Sequence, residues 1–458
     1  MTSFLQLILD VKLDRNRNLS IYSTIYTSPR RPMFGCLPEA GSTSGVSDTD
    51  TFAVEPLIQT EFVKWCTKRF AEPILHYLSD QEAQKQMLSI TFSEVSDWAL
   101  EALTALSTPR VAFQPSFSRS TASPSSCLAF LPLHPLLCTG DGSGVNVWDW
   151  ESGRFICGFQ NQNKTPNELF DSLCAVTPGR VTAIHIVNPY TDGYMLVGTD
   201  TGEVRIWDCH FSSVSPSLSS SQSYCKPELV TGWNAMGDVQ RFSSVPSTHY
   251  YWEQNTGLLF VGGDFRELLI WDAHREQNVA QVTVGSASNV FVTSISADSA
   301  GHHLTAVGCS DGTVRLFDRR LPTNDCNVMT LRCLQSPVCR VHLQTKSIGS
   351  KLLAGTVAGD LCLWDPRIFQ EPVAYRRLDD GGVRSIDAHR SFELIAVASS
   401  TQTSILTFDW KLHSVIRPSD GFIGQRSAAS CCVHFHPLRA HLAVSATDGT
   451  IVVYGLAS

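Results

Sequence analysis

The groups best suited to chemistry are two histidines and a set of aspartates that recur at turns. His434 and His436 belong to the segment VHFHP, whose alternation of polar and apolar residues is typical of a strand. Such a pair can bind a metal ion, but we predict that His436 makes a structural hydrogen bond near a turn. Asp200, Asp311 and Asp448 stand in turns, where we expect their carboxylates to accept nearby backbone N–H groups.

Sequence patterns of metal and nucleotide chemistry do not occur in the chain. It has no phosphate-binding loop of the Walker type and no HExxH motif. The 15 cysteines include no CxxC pair, and no Cys/His group has zinc spacing. We therefore predict buried, reduced cysteines in a reducing compartment, and a protein with no cofactor, no metal and no enzymatic activity.

The composition argues against nucleic acids and membranes as the main ligands. Of 458 residues, 35 are basic and 43 acidic, which gives a net charge of -8 at pH 7. A nucleic-acid binder normally presents a basic patch, whereas basic runs here do not exceed pairs such as Arg319-Arg320. The N-terminus lacks a signal-peptide pattern, and no segment has the ~18 apolar residues that span a bilayer. We expect a cytoplasmic protein without membrane insertion.

One sequence pattern recurs seven times. Each copy has a turn of small residues with Gly or Asp, then alternating apolar residues, then an aromatic residue that is usually followed by Asp. The aromatic positions are Trp148, Trp207, Trp271, Phe317, Trp364, Phe408 and Tyr454. Their spacings are 59, 64, 46, 47, 44 and 46 residues, and four of the six lie close to the roughly 40–45-residue period of WD repeats. The sequence therefore predicts an all-β fold, a seven-bladed WD-repeat β-propeller.

A four-stranded sheet cannot bury both of its faces alone, so each repeat must pack against its neighbours in a closed ring. We expect the repeated aromatic residue of the third strand to supply much of the apolar area between blades. The sequence ends at Ser458, just after the third strand of the seventh repeat. We predict that Arg110–Gln114 supplies the missing outer strand and thereby joins the two ends of the ring.

The sequence divides into three regions. Residues 1–54 are predicted to be a poorly ordered N-terminal segment and linker, residues 55–108 a helical linker, and residues 109–458 the propeller. The two long repeat spacings mark polar insertions, Asn161–Leu173 and Phe211–Ser223. Loops on a rigid propeller suit partner contact or modification, and an unmodified flexible loop is the alternative.

The helical linker has an apolar face that allows two interpretations. This face consists of Phe62, Trp65, Cys66 and Phe70, and a second helical stretch covers Val95 to Leu106. Either both helices pack on the propeller as a cap, or their aromatic face binds a partner protein. Trp65, Arg69 and Phe70 are the candidate partner contacts in this region.

Several segments are more specific than a WD repeat, and they resemble the raptor family. They are QTEFVKWCTKRFAEPIL (Gln59–Leu75), GWNAMGD (Gly232–Asp238), WEQNTGLL (Trp252–Leu259) and DGFIGQRSAASCCVHFHPLRAHLAV (Asp420–Val444). Their order and spacing also match, so the resemblance covers roughly residues 55–458. The caspase-like domain and the helical repeats of that family are missing from this sequence. Gln425 and Arg426, in the last segment, complete the candidate partner contacts.

The resemblance implies a non-catalytic scaffold of the target-of-rapamycin (TOR) kinase complex. Its partners would be the TOR kinase, small GTPases of the lysosomal signalling system and kinase substrates, and it would be recruited to the lysosomal surface. The alternative is a WD-repeat adaptor of another complex, such as the substrate receptor of a ubiquitin ligase. An enzyme would need clustered acids or histidines in a central pocket, and the sequence offers no such cluster.

Overall fold

Seven four-stranded antiparallel sheets make up the described part of the chain. The computed structural model describes residues 97–98 and 113–456, except for gaps at 122, 162–178, 190–192, 212–226, 238, 240, 242–246, 255, 274, 286–289, 298–302, 333, 345–350, 367–370, 379–381, 390–391 and 418–428. Six sheets are formed by four consecutive strands each, so the order of the blades follows the order of the sequence. The predicted seven-bladed, all-β propeller is confirmed.

The strands are given from the inner to the outer edge of each blade. Blade 1 has β2 (Ser125–Phe130), β3 (Leu136–Asp141), β4 (Gly144–Asp149) and β5 (Arg154–Gln160); blade 2 has β6 (Val181–Val187), β7 (Tyr194–Thr199), β8 (Glu203–Asp208) and β9 (Glu228–Asn234). Blade 3 has β10 (Thr248–Glu253), β11 (Leu258–Gly263), β12 (Phe265–Asp272) and β13 (Gln277–Thr283); blade 4 has β14 (Val292–Ala297), β15 (Leu304–Cys309), β16 (Val314–Asp318) and β17 (Asn327–Leu331). Blade 5 has β18 (Val338–Gln344), β19 (Lys351–Thr356), β20 (Asp360–Trp364) and β21 (Ala374–Arg377); blade 6 has β22 (Val383–Ala388), β23 (Leu394–Ser399), β24 (Thr403–Thr407) and β25 (Leu412–Ile416). Blade 7 has β26 (Ser430–Phe435), β27 (His441–Ala446), β28 (Thr450–Leu456) and β1 (Phe113–Ser120).

Blade 7 closes the ring with strands from both ends of the propeller sequence. β1 pairs with β28 along its whole length, from Phe113 opposite Leu456 to Ser120 opposite Thr450. This confirms that a segment ahead of the first repeat supplies the outer strand, but its described bounds differ from the predicted Arg110–Gln114. The difference has a packing cause, because the buried side chains of β1 are Phe113 and Phe117 and they fix which residues join the sheet.

The Asp-Gly turn of blade 4 shows how the repeated turns are built. Gly312 has φ +79°, in the left-handed region where a residue without Cβ is favoured. Asp311 Oδ1 accepts the backbone N–H of Thr313 at 3.0 Å and the Thr313 hydroxyl at 2.6 Å. The predicted structural role of this aspartate is confirmed.

Every interface between neighbouring blades contains one of the seven repeated aromatic residues. From the interface of blades 7 and 1 round to that of blades 6 and 7, they are Trp148, Trp207, Trp271, Phe317, Trp364, Phe408 and Tyr454. Five are buried, whereas Trp271 and Tyr454 are partly exposed. The aromatic residue of each repeat therefore packs against the preceding blade, as predicted.

No helix in the described residues is long and apolar enough to cross a membrane.

Candidate protein-interaction surface

Side-chain hydrogen bonds join the inner strand region of each blade to that of the next, all the way round the ring. The bonded pairs, from blades 1 and 2 to blades 7 and 1, are Ser126 Oγ with Val181 O, His185 Nε2 with Tyr250 O (3.2 Å), Tyr251 Oη with Ala297 O (2.9 Å), Ser294 Oγ with Val341 N (3.0 Å), Cys339 Sγ with Arg384 O (3.1 Å), Asp387 Oδ2 with Phe435 N (2.7 Å) and Ser445 Oγ with Ser125 O (3.0 Å). These bonds provide partners for backbone N–H and C=O groups at the inner edge of each blade, where no neighbouring strand pairs with the sheet. They give the propeller a stiff inner wall.

The predicted histidines are part of this structural system. His434 Nδ1 lies 3.1 Å from Asp387 Oδ2, so the pair connects blade 7 to blade 6. Burial raises the pKa of the Asp387 carboxyl, but the charges of His434 and His342 and the hydrogen bonds to it outweigh burial and hold the pKa at about 2. A His–Asp pair resembles part of a catalytic triad, yet here the carboxylate also accepts the Phe435 N–H across the blade interface.

His436 is buried and makes the structural hydrogen bonds that were predicted. Its Nδ1 accepts the backbone N–H groups of Leu438 at 3.1 Å and Arg439 at 2.9 Å. Burial lowers the pKa of the imidazole well below its usual value, and the charge of Arg439 adds to this effect. Within the described residues no group of three or more His, Cys, Asp or Glu could hold a metal ion.

Two other turn aspartates differ in what they bind. Asp448 accepts the N–H of Thr450 at 2.9 Å, within its own turn, as predicted. Asp200 instead accepts the N–H of Arg180 at 2.8 Å, from the segment that enters the inner strand of the same blade. Asp200 therefore lies in a turn, as predicted, and its carboxylate also holds the backbone of Arg180 just before β6 begins.

We expected no Gly-x-Ser-x-Gly motif of the hydrolase type from the sequence, and this expectation is wrong at one place. The segment Gly308–Gly312 reads GCSDG and so has the Gly-x-Ser-x-Gly spacing of many hydrolase nucleophiles. In that setting the serine stands on a sharp turn from a strand to a helix. Here the segment is the hairpin between β15 and β16, and Ser310 Oγ accepts the N–H of Phe291 at 3.1 Å. The spacing arises from a WD-repeat turn.

Seven of the ten described cysteines are buried. The three that are partly exposed, Cys339, Cys431 and Cys432, lie on the inner strands β18 and β26. Burial raises the pKa of Cys339 to about 11, so this thiol is protonated at neutral pH. These thiols line the channel as weakly polar surface rather than as nucleophiles.

A tryptophan from the predicted helical linker contacts the end of the propeller where blades 7 and 1 meet. The Trp98 ring centroid lies 3.8 Å from the guanidinium carbon of Arg439, and the Trp150 ring lies 5.5 Å from the same atom. Arg439 also forms an ion pair with Glu151, which joins the two blades. Trp98 thus contacts the propeller, whereas the rest of the second helical stretch, apart from Asp97, lies outside the described residues.

The other predicted partner contacts remain predictions. Trp65, Arg69, Phe70, Gln425 and Arg426 lie outside the described residues. Most of the two polar insertions lies outside them as well. The exposed Arg180, Arg340 and Arg384, which come from three separate blades and lie at one end of the channel, were not predicted as functional residues. No motif marks these arginines, because only ring closure brings them to one end of the channel.

Known proteins match this chain over much more than one repeat. The family model described as "WD domain, G-beta repeat" matches residues 278–318. A raptor homolog of Dictyostelium discoideum is 26% identical over 422 residues, which cover 89% of this chain and 26% of that protein. A target of rapamycin complex 1 subunit of Schizosaccharomyces pombe is 28% identical, over 69% of this chain and 22% of that protein.

A solved structure shows the same fold. The crystal structure of Chaetomium thermophilum Raptor matches with a TM-score of 0.64 and 20% sequence identity, over 86% of this chain and 32% of that chain. The chain thus spans about a quarter of the length of the curated relatives it matches and about a third of that crystallised chain.

Proposed function

Since this chain is homologous over most of its length to the C-terminal WD-repeat region of raptor, we propose that it is a non-catalytic scaffold of the TOR kinase complex. The observation that carries the proposal is the extent of the similarity, which covers 89% of the chain and so reaches far beyond one repeat. A match limited to one repeat would support only the fold, because WD propellers serve many functions.

The proposed mechanism is binding without covalent chemistry. A closed ring with a hydrogen-bonded inner wall offers a rigid framework on which several proteins can be brought close to one kinase. The channel's His434–Asp387 pair is used to join two blades, which supports a structural rather than a catalytic role. The partners we propose are the TOR kinase, small GTPases of the lysosomal signalling system and kinase substrates.

Co-purification from cells tests this proposal. The complete 458-residue chain, carrying an affinity tag, should recover the TOR kinase. An unrelated seven-bladed WD propeller with the same tag serves as the matched control for non-specific capture. Imaging of the tagged chain should place it in the cytoplasm and, under nutrient-rich conditions, at the lysosomal surface.

Two outcomes would overturn the proposal. Recovery of cullin-associated proteins in place of the TOR kinase would favour the alternative, a substrate receptor of a ubiquitin ligase. Equal recovery of the kinase by the control propeller would show that the association does not depend on this chain.

A further inference from the structure

Six of the seven inner strands carry a β-bulge at their second residue. The unpaired residues are Ser126, Thr182, Thr293, Cys339, Arg384 and Cys431. A bulge re-aims the side chain of the extra residue. None of these six residues is buried, so they surround one end of the central channel. We call this end the channel mouth.

Three arginines lie at the channel mouth, and all three are exposed. Arg384 is the bulge residue of blade 6, and Arg340 directly follows the bulge residue of blade 5. Arg180 directly precedes β6 of blade 2, and its backbone N–H is held by Asp200 at 2.8 Å. The three charges therefore come from different sides of the ring and start from backbone that the blades fix in place.

The charges of these arginines reach a common region beside β26. Burial raises the pKa of the Cys431 thiol, and the charges of Arg384 and Arg180 oppose this effect. Burial likewise raises the pKa of Cys432, and the charge of Arg340 opposes it. The effect of a charge on a neighbouring pKa decreases with the distance between the two groups. Cys431 and Cys432 are adjacent in β26, so the three arginines act on neighbouring residues at the end of the channel where the inner strands begin.

Within the described residues, no carboxylate forms an ion pair with these three arginines. Ion pairs in that part of the chain involve other arginines, one lysine and two histidines, so Arg180, Arg340 and Arg384 have no carboxylate within 4.0 Å there. Among the described residues, the Arg384 side chain hydrogen bonds the Cys431 thiol. The carboxylates of Asp448 and Asp387 act on Cys431 and Cys432 from the same region but do not form ion pairs with the three arginines.

We propose that Arg180, Arg340 and Arg384 form a binding site for a phosphorylated serine or threonine side chain of a partner protein. Phosphate on such a side chain carries about two negative charges and three acceptor oxygens, which suit several guanidinium groups with paired N–H donors. The inference rests on the proposed function, because it names the chemistry of a partner that the scaffold would hold.

The position of the arginines favours a peptide over a membrane or a nucleic acid. Arg340 and Arg384 belong to inner strands and Arg180 directly precedes one, so all three stand around the central channel rather than on the outer surface. A lipid surface or a nucleic-acid backbone would instead require a broad basic patch across the loops, and the chain has more acidic than basic residues.

A binding measurement on the purified 458-residue chain tests the inference. The probe is a degenerate peptide library with phosphoserine at one fixed position, compared with the same library carrying serine. We expect at least tenfold greater retention of the phosphorylated library, falling as salt is raised. The variant Arg340→Ala/Arg384→Ala should lose roughly tenfold or more of this binding, since it removes two charged hydrogen-bonding partners.

The control variant is Arg377→Ala, which removes another exposed arginine of blade 5, on the outer strand β21. It should bind like the unaltered chain, and thermal melts should show all variants folded because each replaced side chain is exposed. Equal retention of both libraries, an equal loss in the control, or binding of inositol hexakisphosphate without the phosphopeptides would overturn the inference. Because only purified components are used, failure here leaves the co-purification result unaffected.

Discussion

Glu253 and Arg319 form a buried, two-fold hydrogen-bonded ion pair between blades 3 and 4, with N···O distances of 2.7 and 2.8 Å. Their side chains are 1% and 2% exposed. Removing one partner from a buried pair leaves an uncompensated charge, which costs about 3–5 kcal/mol. Glu253→Gln should therefore lower the free energy of unfolding by roughly this amount, measured by urea denaturation.

The matched control for this variant is a surface pair. Lys351 and Glu393 lie 3.5 Å apart, with side chains that are 30% and 64% exposed. Solvent screens such a pair, so Glu393→Gln should cost less than about 1 kcal/mol. Equal effects of the two variants would contradict the role that we assign to the buried pair.

Ring closure through β1 predicts a large effect of one phenylalanine. Phe117 is buried against the interface of blades 7 and 1, and its ring lies 6.3 Å from that of Trp148. Phe117→Ala should destabilise the protein by about 3–5 kcal/mol, because it leaves a cavity at the joint. Ser118→Ala, at an exposed position of the same strand, should be nearly neutral. A melting temperature that is the same for both variants would argue against closure by β1.

The repeated aromatic residues predict a second packing effect. Trp207 is buried, its ring lies 4.7 Å from that of Phe159, and its Nε1 donates to Asn161 Oδ1 at 2.9 Å. Trp207→Ala should cost about 3–5 kcal/mol. Leu412→Ala, at a side chain that is 53% exposed, should change stability by no more than roughly 0.5 kcal/mol. Calorimetry would measure the stability of both variants. A small loss of stability in the Trp207 variant would show that this residue does not stabilise the blade interface.

The Asp387 carboxyl predicts a pH dependence of stability. Its pKa of about 2 lies below the value near 3.9 that is usual for an unfolded chain. The carboxylate therefore stabilises the fold above about pH 4, and this contribution, on the order of 2 kcal/mol, is lost as the pH falls towards 2. The difference in urea midpoint between the unaltered protein and Asp387→Asn should shrink over that range. A difference that stays constant with pH would show that the charge of Asp387 does not stabilise the fold.

The repeat pattern predicted the blades and their interface aromatics because both follow from local turn chemistry and strand alternation. It located β1 only approximately, since Pro115 and a bulge before Phe117 interrupt the alternation that marks a strand. The Glu253–Arg319 pair left no sequence signal, because its partners are 66 residues apart and meet only when two blades pack.

The sequence predicted the residues of the candidate interaction surface less well than it predicted the fold. Arg180, Arg340 and Arg384 are not neighbours in the sequence, and only ring closure brings their charges to one channel mouth. The predicted contact Trp65 and its neighbours lie outside the described residues. Trp98, in contrast, was assigned to a helical stretch without a specific role, and its contact with Arg439 depends on the fold of blade 7.

A single disulfide cross-link tests the closed ring most directly. Ser118 of β1 and Val452 of β28 are paired across the sheet, at a separation that suits a disulfide. In the variant Ser118→Cys/Val452→Cys, mild oxidation of the monomer should give an intrachain cross-link between these two positions, identified by peptide mass spectrometry. The variant Ser118→Cys/Val328→Cys, with its second site on blade 4, should give none. Absence of the 118–452 link in folded monomer, or its formation only between two chains, would contradict the closed seven-bladed ring.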